Sequence, residues 1–92
     1  MFVQVIHNIT DKSAWDKRLS DFEKQGPPAE LTLHSSGTSR DGTKAFCLWE
    51  AQSQEALSSF LDEATAGAAQ NIYYTLDERA PATLLPHSAV AS

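Results

Sequence analysis

The chain alternates short apolar runs with two amphipathic stretches. Residues 2–8, FVQVIHN, carry Phe2 and Ile6 in one strand phase and Val3 and Val5 in the other. Beta-branched content with apolar residues on both faces predicts a strand in the middle of a sheet. Residues 13–24 instead space Trp15, Leu19 and Phe22 at helical intervals, with Asp16, Lys17, Ser20, Asp21 and Lys24 opposite. That stripe predicts a helix lying on the sheet. Asp11, with Thr10 beside it, offers the cap, and Gly26-Pro27-Pro28 stops the helix. Residues 30–36 are one-sided, Leu31 and Leu33 against Thr32 and His34, which suits an edge strand or a cavity wall.

Residues 36–43 read as a turn region around Asp41-Gly42, a reversal signal because both residues tolerate positive φ. Residues 44–50, KAFCLWE, form the most apolar strand, with Phe46/Leu48 and Cys47/Trp49 each apolar enough to face inward. A second helix is predicted over 54–65, capped by Ser53, with Ala56, Leu57, Phe60, Leu61 and Ala64 as its buried stripe and Gly67 at its end. Residues 71–77 alternate Ile72, Tyr74 and Leu76 against Asn71, Tyr73 and Thr75. The domain is expected to span 1–78. Residues 79–92 then form a C-terminal arm, flexible except for a short added strand or docking segment at 82–85, between Pro81 and Pro86.

The order strand, helix, strand, strand, helix, strand defines an α+β class. Right-handed crossovers give a split β-α-β (βαββαβ) with a four-stranded antiparallel sheet, both helices on one face and the first and third strands central. Apolar residues also fall on the uncovered face, so a second copy packed sheet to sheet is the expected cover.

Ninety-two residues supply one modest core. A net charge of −5 with scattered basic residues argues against a nucleic-acid footprint and equally against anionic membrane surfaces. No window is long and apolar enough to span a bilayer. The N-terminus lacks a basic region followed by an apolar one, so a secretory leader is not expected. One cysteine excludes an internal disulfide. A cytoplasmic setting follows.

Several stretches then carry a resemblance. Val3-Gln4-Val5-Ile6-His7, the hairpin from Ser35-Ser36-Gly37 to Asp41-Gly42-Thr43, and Phe46-Cys47-Leu48-Trp49-Glu50-Ala51 with Ser53 and Glu55-Ala56-Leu57 resemble small bacterial members of the dimeric α/β-barrel superfamily. The pattern Cys47-x-Trp49-x-Ala51 is also similar to the small nickel-binding ferredoxin-like proteins of actinobacteria. The resemblance covers roughly residues 1–78 and implies a ferredoxin-like fold and a homodimer. It leaves the chemistry open between cyclase, monooxygenase and stress-response roles. Nickel ligands do not match residue by residue. Asn8, Trp49 and a histidine resemble the Asn, Trp and His that haem-degrading members use, but no histidine lies in the second helix or just after it, so no cofactor is expected.

Two constellations remain. His34 with Tyr73 is the acid-base pair expected to do any catalysis, with His7, Phe46, Trp49, Glu50 and Tyr74 around a small aromatic or polyketide-like ligand between sheet and helices. The alternative is a non-enzymatic nickel or zinc protein in a stress or regulatory role, with His7, His34 and Cys47 as weak metal candidates lacking any short ligand spacing. No glycine-rich phosphate loop and no serine nucleophile elbow is present.

Overall fold

The computed structural model describes residues 1–89. Its elements are β1 (Phe2–Ile9), α1 (Lys12–Gln25), β2 (Thr32–Thr38), β3 (Lys44–Glu50), α2 (Gln54–Ala64) and β4 (Ala69–Thr75). The strands lie in the order β2-β3-β1-β4, each neighbouring pair antiparallel. This is the ferredoxin-like βαββαβ sheet expected, with β1 and β3 central.

Local chemistry sets the element ends. Asp11 accepts from the Ala14 amide at 3.1 Å and Ser53 from the Ala56 amide at 3.0 Å, so each helix starts on the short polar side chain that the sequence offers. Gly26, at φ 71°, closes α1 through its amide to the Phe22 carbonyl. Between β2 and β3, the Asp41 carboxylate accepts from the Ser39 hydroxyl and from the Thr43 amide and hydroxyl. Gly42, at φ 75°, completes that reversal.

Two strands are displaced from their expected ends. β2 begins later than 30 because the Leu31 amide is taken by the Pro28 carbonyl in a turn, and it runs past 36 because Gly37 and Thr38 pair with Phe46 and Ala45. β4 begins earlier than 71 because Ala69 and Gln70 pair with Ile9 and Asn8 of the long β1.

Register decides the faces. Val3, Val5 and His7 lie level with Trp49, Cys47 and Ala45 on one side and with Thr75, Tyr73 and Asn71 on the other. Val3, Val5 and Trp49 share a core with Leu57 and Leu61 of α2, so this is the helix-covered face. The inward phase of β3 is therefore Cys47/Trp49. Phe46 and Leu48 lie on the open face, with Ile6, Ile72 and Tyr74. There Phe46 is 40% exposed, Ile72 42% and Tyr74 52%.

The two helices seat differently. α2 buries Leu57 and Leu61, although Ala56, expected in its stripe, is exposed. α1 fully buries only Trp15, packed with Ala45 and Ala68, and leaves Leu19 42% exposed. Space remains beneath it.

Beyond β4 the chain turns at residues 78–82, and residues 83–88 are irregular, so the segment 82–85 adds no strand. Ser88 and Ala89 return to Glu50. The rest of the expected flexible end, residues 90–92, lies outside the described residues. No helix among the described residues is long and apolar enough to cross a membrane.

Candidate functional site

The space under α1 is a cavity of about 280 Å³ between the sheet and both helices. Trp15, Leu19 and Phe22 of α1 form one wall, Leu61, Ala64 and Thr65 another, and His7, Cys47 and Trp49 the floor. Arg18, Glu23 and Ser36 are exposed and form the rim. The lining is largely apolar, so the few polar atoms that reach it carry the chemistry.

His7 is the first of these. It is 2% exposed, and its ring leans on Trp15 with centroids 5.0 Å apart. Its Nδ1 lies 2.5 Å from Oδ1 of Asn71, the residue directly across from it on β4. The network behind Asn71 fixes the tautomer. The Thr65 hydroxyl donates to the Leu61 carbonyl at 2.8 Å, so it accepts from Asn71 Nδ2, also at 2.8 Å. Asn71 Nδ2 also reaches Asp62 Oδ1 at 3.1 Å, and Tyr73 donates to that oxygen at 2.6 Å.

With its nitrogen committed to acceptors, Asn71 offers only oxygen to His7, and Nδ1 must carry the proton. Burial holds the imidazole below its ordinary pKa, the Asn71 bond pulling weakly the other way. Nε2 is then a bare lone pair. It has no partner among the described residues and is not sealed by protein, so it opens onto the cavity floor.

Trp49 is the second. The indole stands edge to face with Phe22 at 6.1 Å and Phe60 at 6.2 Å, tying both helices to β3. Its Nε1 is the buried side-chain nitrogen left without a partner among the described residues. Burial pushes the Cys47 thiol up to about 11. At neutral pH Cys47 is therefore a thiol and a poor nucleophile or metal ligand.

The sheet separates His34, Phe46, Glu50 and Tyr74 from this cavity. His34 falls at an irregularity in β2, where the pairing shifts between Leu33 and Ser35. In the phase opposite the inward Leu33, it faces the open side, where its ring tilts on Phe2 at 5.2 Å and its Nε2 meets Glu50 Oε1 at 2.9 Å. Glu50 is 6% exposed and also accepts from the Ser88 hydroxyl and, at 3.0 Å, from the Ala89 amide. The Ser88 and His34 bonds hold its carboxyl down at about 2.

His34 and Tyr73, expected to act as a pair, therefore stand on opposite faces. Phe46, Glu50 and Tyr74 share the open face with His34, whereas Trp49 and His7 share the cavity. The metal candidates are split in the same way, and no group of three or more His, Cys, Asp or Glu among the described residues is placed to hold a metal. Asn71, Thr65 and Asp62 were not singled out by sequence. The available signal was the shared phase of Asn71 and Tyr73 on a strand next to β1.

Fold and site together define a ferredoxin-like α+β domain with a half-enclosed apolar cavity on its helix side. Residues 1–63 match the family described as a domain of unknown function, DUF3303, and the chain belongs to that family. The matched stretch includes His7, Cys47, Trp49 and Asp62 and stops before Asn71 and Tyr73. No curated protein and no solved structure matches the chain.

Proposed function

We propose that the protein binds a small aromatic or polyketide-like molecule in the cavity beneath α1. One observation carries this reading: a neutral histidine, locked in one tautomer, presents an unpartnered Nε2 to an apolar cavity of about 280 Å³. That volume lies near the lower end of small-molecule pockets, which suits one or two fused rings. Aromatic walls from Trp15, Phe22 and Trp49 favour a flat ligand. Homodimerisation through the open face belongs to the same proposal. Phe46, Ile72 and Tyr74 form an exposed apolar patch that a second sheet would cover.

Thermal unfolding against a panel of one- and two-ring aromatics, with native mass spectrometry of the freshly purified protein, tests the reading. A ligand at a hundred times its Kd adds about 2.7 kcal/mol, and each kcal/mol raises Tm by about 4–8 °C in a domain of this size. Ala64→Phe, which fills the cavity, should remove that rise. If no compound raises Tm and no extra mass is retained, the cavity is only a packing defect.

A further inference from the structure

Resting on that reading, we propose that the cavity selects ligands bearing a neutral hydroxyl, a phenol or enol, which donates its hydrogen bond to His7 Nε2. The polar inventory of the cavity leads to this class. Thr65 spends its proton on the Leu61 carbonyl and accepts from Asn71, so it has no donor left for a ligand. Cys47 is a protonated thiol, a weak partner either way.

The Trp49 indole nitrogen is fully enclosed and out of reach of anything in the cavity. Arg18 is exposed and donates to the Ala66 carbonyl at 3.1 Å, so the fixed positive charge sits at the rim and is already engaged. Inside, His7 Nε2 remains as a well-placed acceptor, and an acceptor must meet a donor.

The same geometry rejects two neighbouring classes. A phenolate would bring an anion into an apolar space where it meets a lone pair, with Asp62 behind Asn71 adding negative charge. A methyl ether has the same ring and nearly the same shape but no proton. It would leave Nε2 both desolvated and unpaired, and that penalty is the origin of the selectivity.

The asymmetry of the site also explains why His7 is held as it is. Nδ1–H is consumed by Asn71, and a second proton on Nε2 would be an unpartnered charge facing apolar walls.

The test compares 2-naphthol with its methyl ether, 2-methoxynaphthalene, by isothermal titration at a pH above the ordinary histidine range. Wild-type protein should bind the naphthol about tenfold more tightly, the factor expected when a buried acceptor loses its donor. His7→Leu should bring the two affinities together. Because that variant disturbs Asn71 and its fold must be checked, the wild-type protein supplies a second readout. The 15N resonance of His7 Nε2 should move on adding the naphthol and stay in place with the ether.

Equal binding of both compounds with an unmoved Nε2 resonance overturns the inference and leaves the cavity proposal standing. Persistence of the preference in a folded His7→Leu protein overturns it too, since another group would then read the hydroxyl. Binding of neither compound overturns the cavity proposal, and the inference with it.

Discussion

At His7, one hydrogen bond decides the character of the whole side chain. Asn71 Oδ1 takes the Nδ1 proton, and burial disfavours a second one. Asn71→Ala should strand that N–H in a dry site and cost about 1–3 kcal/mol in urea unfolding. A change near zero would mean that water reaches Nδ1. The pH dependence has a definite sign. A histidine whose folded pKa is depressed stabilises the fold above its unfolded value near 6.5, and that contribution is lost as pH falls from there towards the folded pKa. Cys47, held up at about 11, should react slowly with iodoacetamide at neutral pH and at the rate of a free thiol only after unfolding. The residue types were visible in the sequence. Their roles were not, because a histidine on a strand reads the same whether its neighbour across the ladder is an asparagine or an alanine.

The two helices carry the difference between scaffold and site. α2 buries Leu57 and Leu61 into the main core, whereas α1 anchors through Trp15 and leaves Leu19 and Phe22 along the cavity wall. Apolar periodicity identifies which face of a helix turns inward, but it does not say how closely that face approaches the sheet. Asp11→Ala removes the cap of the looser helix and should cost about 1 kcal/mol. Hydrogen exchange should rise in α1 well before α2, and equal protection of the two would argue against a separately seated helix. In β2, His34 keeps the phase opposite Leu33, whereas the pairing shift between Leu33 and Ser35 puts Ser35 on the open face level with Leu48 and Ser36 on the cavity side level with Cys47. Strict alternation cannot foresee this, because one unpaired residue resets the side on which the next ones fall.

Across the whole molecule, the C-terminal arm and the open face are linked. Glu50 gathers His34, the Ser88 hydroxyl and the Ala89 amide, so its carboxylate ties the arm to the end of the sheet. A carboxylate whose folded pKa is depressed to about 2 contributes stability above its unfolded value near 4.5, and loses it as pH falls towards 2. Wild-type protein should thus lose more of its urea midpoint between neutral pH and pH 3 than Glu50→Gln does. The variant should also expose the arm to protease at neutral pH. A wild-type arm cleaved as fast as the variant's would show that Glu50 does not hold it. Under the homodimer proposal, Phe46→Lys or Tyr74→Lys should convert a dimer to a monomer in sedimentation without changing the circular dichroism.

The order of elements, both helix caps, the chain reversal at Asp41-Gly42 and the central places of β1 and β3 were all legible along the chain. Each depends on a residue and its near neighbours, or on which strands are apolar on both faces. The phase of β3, the separation of His34 from Tyr73, the His7–Asn71 bond and the fold-back of Ser88 onto Glu50 were decided only by tertiary structure. These contacts join residues far apart in sequence, and their geometry follows from register between strands and from the distance at which α1 rests on the sheet. Neither quantity leaves a periodicity in the amino-acid sequence.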